Sequence, residues 1–261
     1  MTIYFISFGG SCDDYHKALE RIIKQAEELN LFDKIKGFTE KDLIEDVNFW
    51  NKHSNFITNN NRGFGYYLWK PYIINKTLNE MNDNDILLYL DCGCELNING
   101  KDKLLDFFNI VKSKKLIGTR AGSSDYNFTK MDLIKYMQME KSIDLLKSAQ
   151  IQAGIILLLK CDETSKLINE WCNIATINYH FINNDKSLEN NFDGFIEHRH
   201  DQSIFSLLVK KYGLLNFDIG ETCWGYGIED ALKYKAALDY PIWSCRNRTG
   251  NSIVELINTK N

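Results

Sequence analysis

The chain has 261 residues, of which 44% are hydrophobic, 25% are charged and only 2 are proline. That composition excludes disordered and fibrous classes, and the length provides for one large α/β domain, or at most two small ones, with a substantial core. A formal net charge of −4 argues against a nucleic-acid binder that works by neutralising phosphates, although local basic clusters can still grip a small anion.

Ile3-Tyr4-Phe5-Ile6-Ser7-Phe8 reads as a first buried strand, followed by Gly9-Gly10-Ser11 and a helix from about Asp13. Tyr15, Leu19, Ile22, Ile23, Ala26 and Leu29 form its apolar stripe. Strand, glycine turn and helix open a nucleotide-binding α/β fold, because glycine admits a close ligand and the helix start offers free N–H groups to an anion. A tight turn with no ligand explains the two glycines equally well. Lys34 to Phe38 is a short second strand, and Thr39 caps a short helix to Val47. From Asn48 to Asn61 the periodicity fades, which predicts an irregular excursion.

Arg62-Gly63-Phe64-Gly65-Tyr66-Tyr67-Leu68-Trp69-Lys70-Pro71 compresses two glycines, four aromatics and two cations into one segment. Pro71 is placed as the first residue of a helix running through Ile74, Leu78 and Met81. A lysine at that N-terminus is electrostatically misplaced unless an anion is bound, so Lys70 and Arg62 are candidate phosphate contacts. Next, Ile86-Leu87-Leu88-Tyr89-Leu90 reads as a strand buried on both faces, in the middle of a parallel sheet. Ligands of open α/β sheets lie beyond the carboxyl ends of strands, where Asp91 and Glu95 stand.

Asp102 to Val111 is a short helix, and Lys115 to Arg120 a strand ending in a cation. Thr129-Lys130-Met131-Asp132 has the form of a capping box, so Arg120 opens a loop of roughly nine residues, a size that often closes over ligands. Ile151 to Leu159 is a second apolar strand carrying Gln152 and Gly154, a polar group and a gap where a substrate can approach. A core-forming helix spans about Asp162 to Ile177, and Asn178 to Gly194 is polar and irregular. Glu197-His198-Arg199-His200-Asp201-Gln202 then precedes an amphipathic helix that stops at Gly213. Asp201 has a plain explanation as an N-cap, but capping leaves His198, Arg199 and His200 unexplained, and such a cluster suits acid-base or ligand chemistry. Leu214 to Ile219 is a last short strand. The tail, with Trp224, Tyr226, Pro241, Trp243, Arg246 and Arg248, is either a lid over the site or a packing arm.

The cysteines, at 12, 92, 94, 161, 172, 223 and 245, form no CxxC pair and read as reduced thiols in a cytosol-like compartment. Met1 begins no signal-like segment and no apolar run reaches membrane-spanning length, so the expectation is a cytoplasmic protein, or one of a host cytoplasm if viral. With no linker or repeat, residues 1–261 form a single domain, with 220–261 as a C-terminal extension over the site.

The ordered segments Ser7-Phe8-Gly9-Gly10, Gly63 to Pro71, Leu88 to Glu95, Gln152-Ala153-Gly154-Ile155 and His198-Arg199-His200-Asp201-Gln202-Ser203 resemble the GT-A-type glycosyltransferases of capsular or surface polysaccharide loci and large DNA viruses. The resemblance implies a Rossmann-like, mixed and mostly parallel sheet flanked by helices. It also implies a nucleotide-sugar donor, commonly UDP-linked, a glycan or glycoprotein acceptor, and often Mn²⁺ or Mg²⁺. Asp91-Cys92-Gly93 occupies the place of the family's DxD motif, so Asp91 carries over as metal or donor contact. Gly93 departs from the motif, so either Glu95, His198 or His200 replaces its second carboxylate, or the site binds metal weakly or not at all. Ser7, Gly9, Arg62, Lys70 and Arg120 are then donor-binding candidates. Asp201, Gln152 and His200 are catalytic candidates, with Asp201 as base if the anomeric centre inverts and Asp201 or Gln152 on the reacting face if it is retained. Two other classes remain open. A sugar nucleotidyltransferase would carry a basic pair where this chain has the acidic Asp13-Asp14, and a non-catalytic nucleotide- or glycan-binding module would account for Gly93.

Overall fold

A computed structural model describes residues 1–219 and 239–258. Its six-stranded sheet has the order β2-β1-β3-β6-β5-β7, with β1 Ile3–Phe8, β2 Lys34–Phe38, β3 Ile86–Leu90, β5 Leu116–Ser124, β6 Ala149–Leu159 and β7 Leu215–Asp218. β1 pairs in parallel with β2 and β3, and β5 with β7, whereas β6 runs against both β3 and β5. The sheet is thus mixed but mostly parallel, as expected, and β3 lies between one parallel and one antiparallel neighbour rather than inside a purely parallel run. β4 Glu95–Leu96 and β8 Ile242–Trp243 form a separate antiparallel pair.

Alternating side chains divide the core into two layers. Tyr4, Ile6, Leu87 and Tyr89 face one side, against α4 (Trp69–Glu80), α6 (Asp162–Ile177) and α7 (His200–Tyr212). Phe5, Ile86, Leu88 and Leu90 face the other, against α1 (Asp13–Leu29) and α5 (Lys101–Lys114). No helix among the described residues is long and apolar enough to cross a membrane.

Thr39 caps α2 (Glu40–Glu45) as expected, within a capping box closed by Asp42. Several local expectations are corrected. The stretch after Asn48 is not irregular, because it lies in helix α3 (Val47–Thr58), whose buried residues Phe49, His53 and Ile57 recur every fourth position. A histidine in the middle of the stripe masks the period. Pro71 is the third residue of α4 rather than the first. No long loop opens at Arg120, because β5 continues to Ser124 through register shifts and passes directly into the short helix Asp125–Phe128. Thr129 forms no capping box; its hydroxyl donates to Asp125, and the helix Met131–Tyr136 has Lys130 as N-cap. Asp201 is not the cap of α7, where Arg199 takes that place without a side-chain bond, while Gly213 ends the helix in the left-handed conformation as expected. The tail positions Cys223, Trp224 and Tyr226 lie outside the described residues.

Candidate functional site

Between Arg62 and Lys70 the backbone takes an uncommon course. Gly63, Phe64, Gly65, Tyr66 and Tyr67 all have positive φ, from 51° to 81°. Three of the five are aromatics, for which this region is costly and persists only where packing enforces it. Trp69 supplies that packing by donating from its indole to the Gly63 carbonyl at 3.0 Å and stacking on Phe8 at 3.8 Å. Gly65 is required by space as well, since a Cβ there would sit 2.8 Å from Ile57. The turn delivers Arg62, Tyr67 and Lys70 to one cleft of about 560 Å³, within the range of small-molecule sites.

Asp91 follows β3 directly, its N–H bonded to the Gly154 carbonyl of β6 at 2.9 Å. Gly154 also leaves the room that the carboxylate fills, because a Cβ there would lie 2.8 Å from Asp91 Oδ2. Lys70 Nζ is 3.1 Å from Asp91 Oδ1 and 2.9 Å from Asp201 Oδ2. Only 4% of the Lys70 and Asp201 side chains is exposed, against 44% for Asp91. The ammonium also lies over the rings of Tyr67, Trp69 and Tyr89 at 5.1 to 5.8 Å. Burial works against its charge, but the Asp201 and Asp91 carboxylates outweigh burial and raise its pKa. The anion expected at Lys70 is therefore supplied by the protein's own carboxylates. Burial pushes the Asp201 carboxyl up to about 6, against the pull of Lys70. Tyr89 donates its hydroxyl to Asp91 at 2.6 Å.

His200 opens α7 at φ 51°, and its Nδ1 donates to the Ile182 carbonyl at 2.8 Å. Burial, with Arg62 and Lys130 nearby, lowers its pKa to about 4, so the ring is neutral at pH 7 and Nε2 carries a lone pair. That buried Nε2 has no hydrogen-bond partner among the described residues, and His200 lines the cleft. His198 is used up structurally, with Nε2 donating to the Phe181 carbonyl and Nδ1 accepting from the Lys130 N–H. Gln152 lines the cleft, while its neighbour Gln150 joins Gln202 at 2.8 Å and Asp125 at 2.9 Å, fixing β6 to α7.

The structure brings together Arg62, Lys70, Asp91, Gln152, His200 and Asp201, and keeps four other candidates away. Ser7 is fully buried and donates to the Leu90 carbonyl at 2.7 Å. Gly9 packs β1 against α1, a Cβ there falling 2.3 Å from the Tyr15 carbonyl oxygen. Arg120 lies on an exposed stretch of β5, opposite Ile151. None of these three lines the cleft; Gly10, Ser11 and Tyr15 do. Glu95 is the fourth. It is fully buried and its two oxygens accept from Asn247, Ser252, Gln25 and the Ile253 and Val254 N–H groups at 2.7 to 3.2 Å. Burial alone would raise its pKa, but the Asn247 and Ser252 bonds, with Arg21, lower it.

Among the described residues the donor set does not fit a divalent ion. Such ions take several hard oxygen ligands, and here Gly93 has no side chain, Glu95 and His198 are spent, and Asp91 and Asp201 share one ammonium, which leaves the second Asp91 oxygen and His200 Nε2. Among the described residues no group of three or more His, Cys, Asp or Glu is placed to hold a metal.

The tail joins the site from the far end of the chain. β8 pairs with β4, the Asn247 N–H donates to the Gly93 carbonyl at 2.9 Å, and Ser244, Arg246 and Arg248 line the cleft. The described part of the tail is thus both packing arm and cleft wall. Arg199 and Glu197 complete that lining, with Arg199 bonded to Ser123 at 2.6 Å. In the sequence Tyr15 belongs to the apolar stripe of α1 and Ser11 to the glycine turn, and nothing in their spacing marks them or Ser244 as cleft residues. Only the aromatic and cationic richness around Arg246 pointed toward the tail.

No protein-family model matches the chain, and no curated protein sequence does. Solved structures do. A glycosyltransferase involved in the glycosylation of the major capsid of PBCV-1 superposes with a TM-score of 0.52 at 10% identity, covering 99% of this chain and 98% of that one. Mouse xyloside xylosyltransferase 1 gives 0.44 at 10% identity with 96% of each chain covered. The galactosyltransferase LgtC gives 0.42 at 14% identity, covering 96% of this chain and 85% of the other. With its mixed, mostly parallel sheet flanked by helices and the cleft beyond β3, the chain has the GT-A fold of glycosyltransferases.

Proposed function

We propose that the chain is a glycosyltransferase moving a sugar from a nucleoside-diphosphate sugar, UDP-linked in the first instance, to a hydroxyl of a glycan acceptor. The observation that carries this reading is the Lys70 ammonium gripped between Asp91 and Asp201 inside a cleft at the carboxyl end of β3. In the transfer, the bond from the anomeric carbon to the diphosphate breaks with its electron pair going to the phosphate oxygen. A bond forms to the acceptor oxygen, which gives up its proton. Lys70 holds Asp91 and Asp201 in place, and the arginines of the cleft face the charge that develops on the leaving group, the place where fixed cations lower a barrier most.

Asp201 is the proposed proton acceptor. A carboxyl pushed up to about 6 is ionised at pH 7 yet more basic than an ordinary carboxylate. His200 Nε2 and Gln152 are proposed to hold sugar or acceptor hydroxyls, the first as hydrogen-bond acceptor only.

A panel of nucleotide sugars tests the reading by thermal shift and by release of nucleoside diphosphate. A ligand at one hundred times its Kd stabilises the native state by about 2.7 kcal/mol, which is readily seen as a rise in Tm. One donor is expected to raise Tm and to be turned over when acceptor glycans are added. No shift and no release with any donor would remove the proposal, and a shift without turnover on any acceptor would favour a binding module.

A further inference from the structure

The cleft has the cations for a diphosphate, and among the described residues it offers a metal only Asp91 and His200 Nε2. Residue 93, the second acidic position of a DxD motif, is glycine, and a Cβ there would point at the tail, 3.4 Å from Arg246 Cα. The Asn247 N–H closes the same spot by bonding the Gly93 carbonyl. Five Arg or Lys side chains line the cleft against three carboxylates. Two of those cations, Arg246 and Arg248, flank Asn247 on the tail, and Arg246 has a left-handed backbone at φ 51°.

The arm bearing them is held rigidly from behind. Asn247 donates its amide to Glu95 at 2.7 Å, and its carbonyl accepts from buried Arg21 at 3.2 Å. Arg21 also donates to the Cys92 and Cys94 carbonyls at 2.8 and 3.0 Å and to the Thr249 carbonyl, tying the arm to the turn after Asp91. Cations on a pre-set frame stabilise an anion without reorganising when it arrives, which is the service a coordinated ion would otherwise provide.

We propose that this cleft binds the diphosphate group of a nucleoside diphosphate through Arg246 and Arg248, without a divalent metal ion. The inference rests on the reading of the cleft as a donor site.

Calorimetric titration of the EDTA-treated full chain with UDP, and with GDP and ADP as further probes, tests it, each repeated in excess Mn²⁺. Affinity for the bound nucleotide is expected to stay within about threefold between the two conditions and to fall as NaCl is raised. The double variant R246A/R248A, checked for folding by circular dichroism, is expected to lose at least about tenfold in affinity in EDTA, as the loss of two charge-assisted contacts implies. A gain of about tenfold or more on adding Mn²⁺ would overturn the proposal and leave the donor-site reading standing, because metal-bridged phosphates give that signature. Wild-type affinity in the double variant would also overturn it. Absence of binding by all three nucleotides in both conditions would remove the donor-site reading together with this proposal.

Discussion

Asp91 and Glu95 stand four residues apart beyond the same strand, and their surroundings give them opposite jobs. Glu95 is fully buried, with both oxygens taken by fixed donors from α1, the tail and the first N–H groups of the helix Ile253–Asn258. Asp91 keeps nearly half its side chain exposed and is bonded on one oxygen by Lys70 and Tyr89. A carboxylate whose oxygens are all spoken for within the chain holds structure. One that keeps an oxygen toward a cleft is available to a ligand.

The contrast is broken most severely at Glu95. Replacing it by Ala leaves several buried donors without an acceptor, and since each unsatisfied buried donor costs about 1 to 3 kcal/mol, a loss of at least about 3 kcal/mol is expected, seen as a lower urea midpoint. An unfolding free energy within about 1 kcal/mol of wild type would contradict the structural role. Asp91→Asn is expected to do the reverse: stability nearly unchanged, and donor turnover reduced at least about 100-fold, or roughly 3 kcal/mol of barrier.

The same contrast extends to pH. His53 and His200 have pKa values lowered to about 4 chiefly by burial, and His198 lies well below the usual value for the same reason. A histidine lowered in the native state gives stability that is complete above the unfolded value near 6.5 and is lost as pH falls toward 4. Asp201, raised to about 6, acts in the opposite sense over the interval between its ordinary value and 6. His53 and His200 against Asp201 predict a net loss of about 2 kcal/mol between pH 7 and pH 5, and His198 adds to it in the same direction. Glu95, lowered below the usual carboxylate value, still contributes at pH 5. Hydrogen exchange at pH 5 should therefore open around α7 before the Glu95 anchor, and the reverse order would count against the assignment. The smallest effect is expected at Glu197, half-exposed and 3.8 to 4.0 Å from Arg199 and Arg62, where Ala should shift stability by less than about 0.5 kcal/mol.

Much of the frame was legible in the chain because buried strands and amphipathic helices carry their own periods. β1, β3 and α6 fall where Ile3, Ile86 and Asp162 announce them. α3 escaped because its central buried residue is a histidine, and the continuation of β5 past Arg120 because Gly122, Ser123 and Ser124 resemble a loop. In the site, Lys70, Asp91 and Asp201 were each visible as polar residues at element ends. Their convergence was not, because no spacing rule joins positions 70, 91 and 201. The role of Glu95 was hidden for the same reason, since its partners lie 70 residues back and about 150 residues further along the chain.

The central claim is that the Lys70 cluster is where sugar transfer takes place, and Asp201→Asn tests it most directly. The variant keeps the Lys70 to Asp91 pair and nearly the same volume, so its circular dichroism and nucleotide affinity should match wild type. Release of nucleoside diphosphate in the presence of acceptor, compared with wild type at pH 7, is expected to fall at least about 100-fold. Unchanged release from the folded variant would place the chemistry elsewhere.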